Sequence, residues 1–331
     1  MSLPDANAIL DLMEAFRRSK VMFAAVSFGV FDRLERGPAD AASLLPEADP
    51  GAAERLLDAC VSLGLLTRKE RRYANTPQAS AYLCRESEHT LAGYILYSDR
   101  VLFPLWSHLE DAVREGSNRW RQTFGFEGDL FSHFFKTPEA QRDFLLGVHG
   151  LGKLSSPAVA AAFDLSRFGR LADVGGATGH LAAAVRRRYP RIEAVVFDLP
   201  AVVSFARTLQ PDRSIEFLSG DFFRDALPAA DLYVLGRILH DWGEAEARTL
   251  LEKIHAALPA GGGLLLAEKL LAEDHTGPIS AQMQSINMLV CTDGRERSLE
   301  EYRRLLEGVG FVDVRGKRTG APLDAVFARK S

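Results

Sequence analysis

Asp173, Asp198 and Asp221 each follow a short apolar run. The first leads into Asp173-Val174-Gly175-Gly176-Ala177-Thr178-Gly179-His180. Glycines there let a ligand approach the backbone, because no Cβ intervenes. The spacing is not the GxGxxG of dinucleotide sites. A carboxylate ahead of the glycines would repel a pyrophosphate but attract an ammonium or a sulfonium. The second acid lies in Phe197-Asp198-Leu199-Pro200, where it can accept hydrogen bonds from two ribose hydroxyls. The third lies in Gly220-Asp221-Phe222-Phe223, where it can accept from an adenine amino group while Phe222 packs against the ring. Each aspartate alone reads more readily as a cap or turn residue. Three at successive strand ends fit one elongated ligand carrying an adenosyl group and a sulfonium, S-adenosylmethionine.

A second constellation follows in Gly236-Arg237-Ile238-Leu239-His240-Asp241-Trp242. His240 falls just past a strand end, where open α/β sheets bind ligands, and an ordinary imidazole pKa near 6.5 suits a base. Methyl transfer needs the acceptor oxygen to lose its proton, and a phenol holds its proton to a pKa of about 10. A positioned base contributes ~10²–10⁴-fold, and alignment in a dry pocket much of the rest. The base needs an acceptor at its other ring nitrogen. Asp241, Glu268 and Glu296 are the candidates.

These residues need elements to hold them. The chain has 331 residues, of which 47% are hydrophobic and 25% charged, enough for two globular units. Its net charge of -4 gives no basic field for nucleic acid or an anionic membrane. Cys60, Cys84 and Cys291 are far apart, so neither a disulfide framework nor a cysteine zinc site is expected. The eight histidines show no ligand spacing, and no metal is expected. Asp5, Asp11 and Glu14 argue against a signal peptide, and no apolar run reaches the ~18–20 residues that cross a bilayer. The expected location is cytoplasmic.

Residues 1–100 read as a winged helix. A helical rhythm over Ala8 to Leu34 is interrupted at Gly29, a second helix is expected over Ala52 to Leu66, a hairpin follows to Ala74, and Thr76-Pro77 starts another helix. Residues 101–163 read as a helical connector and pocket wall, rich in aromatics that include Phe131, Phe134, Phe135 and Phe144. Residues 164–331 alternate strand and helix, with strands expected at 170–174, 194–197, 215–218, 231–235 and 263–267. Segments at 311–314 and 325–328 are placed to close an edge. The predicted class is α/β: a Rossmann-like, doubly wound methyltransferase domain over 101–331, preceded by an α-rich winged-helix domain. The N-terminal helices carry more apolar surface than so small a unit can bury alone, which predicts a homodimer.

The ordered set Asp-Val-Gly-Gly-x-Thr-Gly, Phe-Asp-Leu-Pro, Gly-Asp-Phe-Phe, Ile-Leu-His-Asp-Trp and Gly-Arg-Glu-Arg-Ser resembles the plant-type small-molecule O-methyltransferases over nearly the whole chain. Gln284-Ser285-Ile286-Asn287-Met288-Leu289-Val290 is most similar to the acetylserotonin (hydroxyindole) O-methyltransferase-like branch. The resemblance implies dimerisation through the N-terminal domain, with that domain completing the partner's pocket. It implies S-adenosylmethionine as donor and S-adenosylhomocysteine as product, held by Asp198, Asp221, Phe222 and Arg237 with the Asp173, Gly175, Gly176 and Gly179 turn, Leu199, Gly220 and Phe223 around them. It implies His240 as base with Glu296 and Glu268 flanking it. Tyr97, Phe144, Val148, Met283, Asn287 and Met288 fall where the family lines its acceptor site, for a small aromatic hydroxyl compound. Two departures stand out. Gly236 replaces a lysine of many plant members, and Gly152 stands near an aromatic of the acetylserotonin branch.

Two other readings compete. One is a cofactor-binding homologue without methyl transfer, a repurposed enzyme or a regulator using the winged helix. Against it, the basic cluster Arg68, Lys69, Arg71 and Arg72 is interrupted by Glu70 and reads as a solvated hairpin turn. The other is methylation of nitrogen or carbon, which would use the same cofactor motifs.

Overall fold

The computed structural model describes residues 5–125, 138–209 and 214–331. Phe131, Phe134 and Phe135 lie outside the described residues. The chain divides into two compact units, Met1–Val101 and Leu102–Ser331.

In the first unit, helices α1 (Asn7–Ser27), α2 (Val30–Leu34), α3 (Ala41–Leu44) and α4 (Pro50–Ser62) precede a hairpin of β1 (Leu66–Lys69) and β2 (Arg72–Asn75), then α5 (Pro77–Leu83) and α6 (Ala92–Tyr97). Gly29 separates α1 from α2 by taking a left-handed φ of 68°. Asp49 and Thr76 cap α4 and α5, each followed by proline at the first helical position. The expected helix to Leu66 stops early, at Ser62. Gly64 turns left-handed at φ 72°, and Leu66 begins the hairpin. Apolar residues continue through that turn because strand β1 also starts apolar, so periodicity carried no stop signal. Arg68 and Arg71 pair with Asp58 (2.6 Å) and Glu54 (3.0 Å) of α4, so the hairpin cations are matched inside the unit.

The second unit begins with α7 (Phe103–Trp106), α8 (Leu109–Glu115), α9 (Trp120–Phe124) and α10 (Pro138–Ala160). It continues β3 (Arg170–Val174), α11 (His180–Arg188), β4 (Glu193–Asp198), α12 (Pro200–Leu209), β5 (Ile215–Ser219), β6 (Leu232–Gly236), α13 (Glu244–Ala257) and β7 (Gly263–Glu268). After these come β8 (Leu270–Leu271), α14 (Ile279–Cys291), β9 (Arg297–Ser298), α15 (Leu299–Glu307), β10 (Phe311–Lys317) and β11 (Asp324–Lys330). Seven strands form one sheet in the order β10-β11-β7-β6-β3-β4-β5. The five from β7 to β5 are parallel, and β10 and β11 close the edge antiparallel.

Period-two alternation assigns each strand residue to a face. Leu171, Val196, Val234 and Leu265 pack with α11, α12 and the end of α10. Ala172, Val195, Tyr233 and Leu266 pack with α13 and α15. Both faces are covered, as parallel sheets require. The strand order reverses between β3 and β6, so the carboxyl ends of β3, β4, β5 and β6 flank the crevice where ligands bind in such sheets.

Candidate active site

The ends of β3, β4 and β5 are laced together by their own backbone. Gly175 N–H donates to Phe197 O (2.8 Å) and Gly220 N–H to Asp198 O (2.9 Å). Asp198 accepts from Ala177 N–H (2.8 Å) on one carboxylate oxygen and from Leu199 N–H (2.7 Å) on the other. Burial pushes its pKa up to about 6 against the pull of those two donors. Asp173 is buried at the end of β3 and accepts from Ala182 N–H (3.2 Å) in the first turn of α11. Burial raises it to about 7, and Asp198 adds to the rise. A Cβ on Gly176 would lie 2.6 Å from the Asp173 carboxyl carbon, and one on Gly175 would lie 2.4 Å from Ile238 Cδ1. A side chain at either position would have to displace Asp173 or Ile238, and Gly175 is also left-handed at φ 67°. Gly179, left-handed at φ 74°, opens α11.

Asp221 is part of its own turn: its carboxylate accepts from Phe223 N–H (2.8 Å) and lies 3.5 Å from Arg224. Phe222 and Phe223 meet edge to face at 4.8 Å, and both meet Trp242. Arg237 has a left-handed φ of 57°, and its Nε is buried with no hydrogen-bond partner. A cavity joins Asp173, Gly175, Gly176 and Arg237 to Val148, Ser156 and His180. Its wall presents a buried acid with one backbone donor and a buried guanidinium NH without a partner. That pair complements the ammonium and carboxylate of an amino acid, so the residues fit the amino-acid end of S-adenosylmethionine.

His240 sits in a single 3₁₀ turn after β6 and is 4% exposed. Its Nδ1 lies 2.8 Å from Glu296 Oε1 and 3.4 Å from Glu268 Oε2. Its Nε2 is 3.6 Å from Asp241, beyond hydrogen-bond reach. Burial alone would lower the imidazole pKa, but Glu268, Glu296 and Asp241 outweigh it and push it up to about 10. Glu268 holds the turn itself: Oε1 accepts from Ile238 N–H (3.1 Å) and Leu239 N–H (3.0 Å). Burial raises the Glu268 pKa, partly offset by His240. Among the described residues, His240, Glu268 and Glu296 are the group whose ligand atoms, all within 4.8 Å of one another, could hold a metal. Glu296 Oε1 is engaged by the imidazole and Glu268 Oε1 by two backbone N–H groups, while Oε2 of each is buried without a hydrogen-bond partner.

Glu296 reaches the histidine from the loop after α14, and a glycine makes this possible. A Cβ on Gly294 would stand 2.1 Å from His240 O and 2.6 Å from Trp242 N. Arg297, fully buried, clamps the same turn: Nη1 donates to Leu239 O (2.9 Å), and Nη2 lies 3.5 Å from Trp242 O. The partners of Arg297 in the Gly-Arg-Glu-Arg-Ser motif are carbonyls that sequence spacing does not reveal. Ser156 carries no signal in the sequence that marks it as a site residue, and His180 and Trp106 show only as a turn residue and one aromatic among many.

The expected acceptor-site residues lie on α10 and α14 of the second unit and, for Tyr97, in the first. Phe144 and Val148 are half-buried one turn apart on α10. Asn287 and Met288 are buried on α14, while Met283, one turn earlier, is 50% exposed. Asn287 Oδ1 accepts from the Trp106 indole (2.8 Å), which leaves its NH₂ donors for a ligand. Tyr97 belongs to the first unit, where it is buried edge-on to Tyr94 at 5.8 Å.

Comparison with known proteins adds a second line. Residues 106–312 match the O-methyltransferase domain family, and residues 10–85 match the O-methyltransferase dimerisation domain. Acetylserotonin O-methyltransferase of Bos taurus is 44% identical over 98% of this chain and 97% of its own length. A Homo sapiens protein named "Probable bifunctional dTTP/UTP pyrophosphatase/methyltransferase protein" is 43% identical over 99% of this chain, which spans 54% of that protein. The crystal structure of human N-acetylserotonin methyltransferase in complex with SAM superposes with a TM-score of 0.95 at 40% identity, covering 100% of this chain and 99% of that one.

Proposed function

Since the chain belongs to the O-methyltransferase family and is an S-adenosylmethionine-dependent O-methyltransferase, we propose that it methylates a hydroxyl of a small aromatic molecule, a hydroxyindole or similar phenol, with His240 as general base. The observation that carries this reading is the 2.8 Å contact of His240 Nδ1 with Glu296, buried at the carboxyl end of β6. Bound S-adenosylmethionine supplies a methyl group already activated on a sulfonium.

The chain's residues supply the rest. Glu296 accepts a hydrogen bond from Nδ1–H and fixes the tautomer, so Nε2 is the nitrogen that takes the acceptor's proton. Carboxylates beside the ring stabilise the imidazolium that results. Glu268 positions the turn through two backbone N–H groups. Asp198 and Asp221 are assigned to the ribose and adenine, the Asp173 turn and Arg237 to the amino-acid end, and Phe222 to the adenine face. Phe144, Val148, Asn287, Met288 and Met283 are assigned to the acceptor. The domain division proposed is a dimerisation domain over 1–100 and a methyltransferase domain over 101–331. The functional particle is a homodimer in the cytoplasm, with no nucleic-acid or membrane partner. No described helix is long and apolar enough to cross a membrane.

The test is His240→Ala assayed against a panel of phenols and hydroxyindoles, with calorimetric binding of S-adenosylhomocysteine beside it. Turnover is expected to fall ~10²–10⁴-fold with cofactor affinity unchanged. Unchanged turnover on a genuine acceptor removes His240 from the base role. Transfer only to amines or carbon acids would replace the hydroxyl reading with the nitrogen or carbon one.

A further inference from the structure

His180, the first residue of α11, lies in a fitted seat. A Cβ on Gly152 of α10 would lie 2.3 Å from both Cε1 and Nε2 of its ring. The imidazole therefore occupies the gap that a missing side chain leaves in α10. One turn further along that helix, Ser156 fixes the ring's orientation. Ser156 Oγ lies 2.7 Å from Gly152 O and 2.9 Å from His180 Nδ1.

Those two distances determine the proton positions. Two oxygens 2.7 Å apart would repel unless a proton lies between them, so the single Ser156 hydroxyl hydrogen goes to Gly152 O. The hydroxyl oxygen can then only accept from the imidazole, which places a hydrogen on Nδ1. Burial, then His149 and Arg237, pull the His180 pKa down to about 3, so the ring is neutral. A neutral ring protonated at Nδ1 carries a bare lone pair on Nε2.

This ring lines the cavity that also contains Asp173, Gly175 and Arg237. Asp198 and Asp221, assigned above to ribose and adenine, are not on that wall. The cavity is thus the end that receives the ligand's amino acid. Arg237 offers cationic donors for a carboxylate, and a bare imidazole nitrogen can only accept. We propose that His180 binds the cofactor directly, with Nε2 accepting a hydrogen bond from its α-ammonium group, in a geometry set by Ser156 and made possible by Gly152. This rests on the reading of the Asp173 cavity as the cofactor site.

The test compares S-adenosylhomocysteine with 5′-deoxy-5′-methylthioadenosine, which lacks the amino-acid end, by calorimetry on the full chain. His180→Ala is expected to weaken S-adenosylhomocysteine about tenfold, the scale of one hydrogen bond to a charged group, and to leave methylthioadenosine within about twofold. Ser156→Ala, which keeps the His180 ring but removes the oxygen that orients it, is expected to give the same selective loss at smaller size. It keeps the test open if His180→Ala folds poorly. Equal losses for both ligands would make His180 a packing residue and overturn the assignment, as would unchanged S-adenosylhomocysteine affinity in both variants. Wild-type protein that binds neither ligand overturns the cofactor reading, and this assignment with it.

Discussion

The basicity of His240 has a definite direction. Its pKa is raised from 6.5 to about 10, because three nearby carboxyls outweigh burial. The free protein therefore carries a protonated His240 at neutral pH, and the basic form grows as pH rises toward 10. The ring's pairing stabilises the fold fully below pH 6.5, and that contribution is lost as pH rises through 10. For catalysis the same proton is the obstacle, so kcat/KM is expected to climb with pH above neutrality. Glu296→Gln keeps an oxygen for Nδ1–H but removes a charge. The rising limb should then move to lower pH by a unit or more, with S-adenosylhomocysteine affinity unchanged. A pH–rate profile for the two proteins measures this, and superimposed profiles would separate Glu296 from the basicity of His240. His240 stood out in the sequence as the candidate base, but its environment did not. Glu268 and Glu296 lie 28 and 56 residues further along the chain, and only the fold brings them to one ring.

Elements deliver those charges. The loop after α14 approaches the His240 turn so closely that Gly294 has no room for a methyl group, and the atoms in the way are backbone. Gly294→Ala must push the two segments apart. It is expected to cost about 2–4 kcal/mol and to lower turnover through a displaced Glu296 while S-adenosylhomocysteine still binds. Thermal unfolding and calorimetry on the variant check both parts, and a variant with wild-type melting and turnover would contradict the packing described. The parallel strands were readable to within about a residue. Arg170–Val174 was placed without error, because the buried Leu171-Ala172 pair runs into Asp173-Val174 and is stopped by Gly175-Gly176. The helix expected to Leu66 was not, since an apolar turn and an apolar strand continue its pattern. The aspartates were readable as strand-end residues. That Asp221 spends an oxygen on Phe223 N–H was not, because an aspartate in a turn carries the same sequence signal whichever donor it meets.

At the scale of the molecule, the N-terminal part of α1 stands out for its exposed apolar side chains. The helix's C-terminal part is anchored by Ala25 and Val26, whereas Leu12, Met13 and Phe16 are 72%, 56% and 55% exposed. Contiguous exposed apolar surface of this kind marks an interface, and residues 10–85 match a dimerisation domain. Leu12→Asp combined with Phe16→Asp is expected to convert a dimer to a monomer in sedimentation at micromolar concentration, with the first unit's core intact. A wild-type monomer would refute the homodimer, and a variant that stays dimeric would move the interface elsewhere.

The position of β11 bears on how the chain can be made. It is the last strand in chain order, yet it sits inside the sheet, between β10 and β7. Its Lys330 N–H donates to Gly262 O (2.9 Å), and the Lys330 ammonium reaches His255 O and Leu258 O (2.7 Å each). During synthesis β7 must therefore wait with an unpaired edge while some sixty further residues emerge. That edge can be covered by β11 only once all five parallel strands have been made.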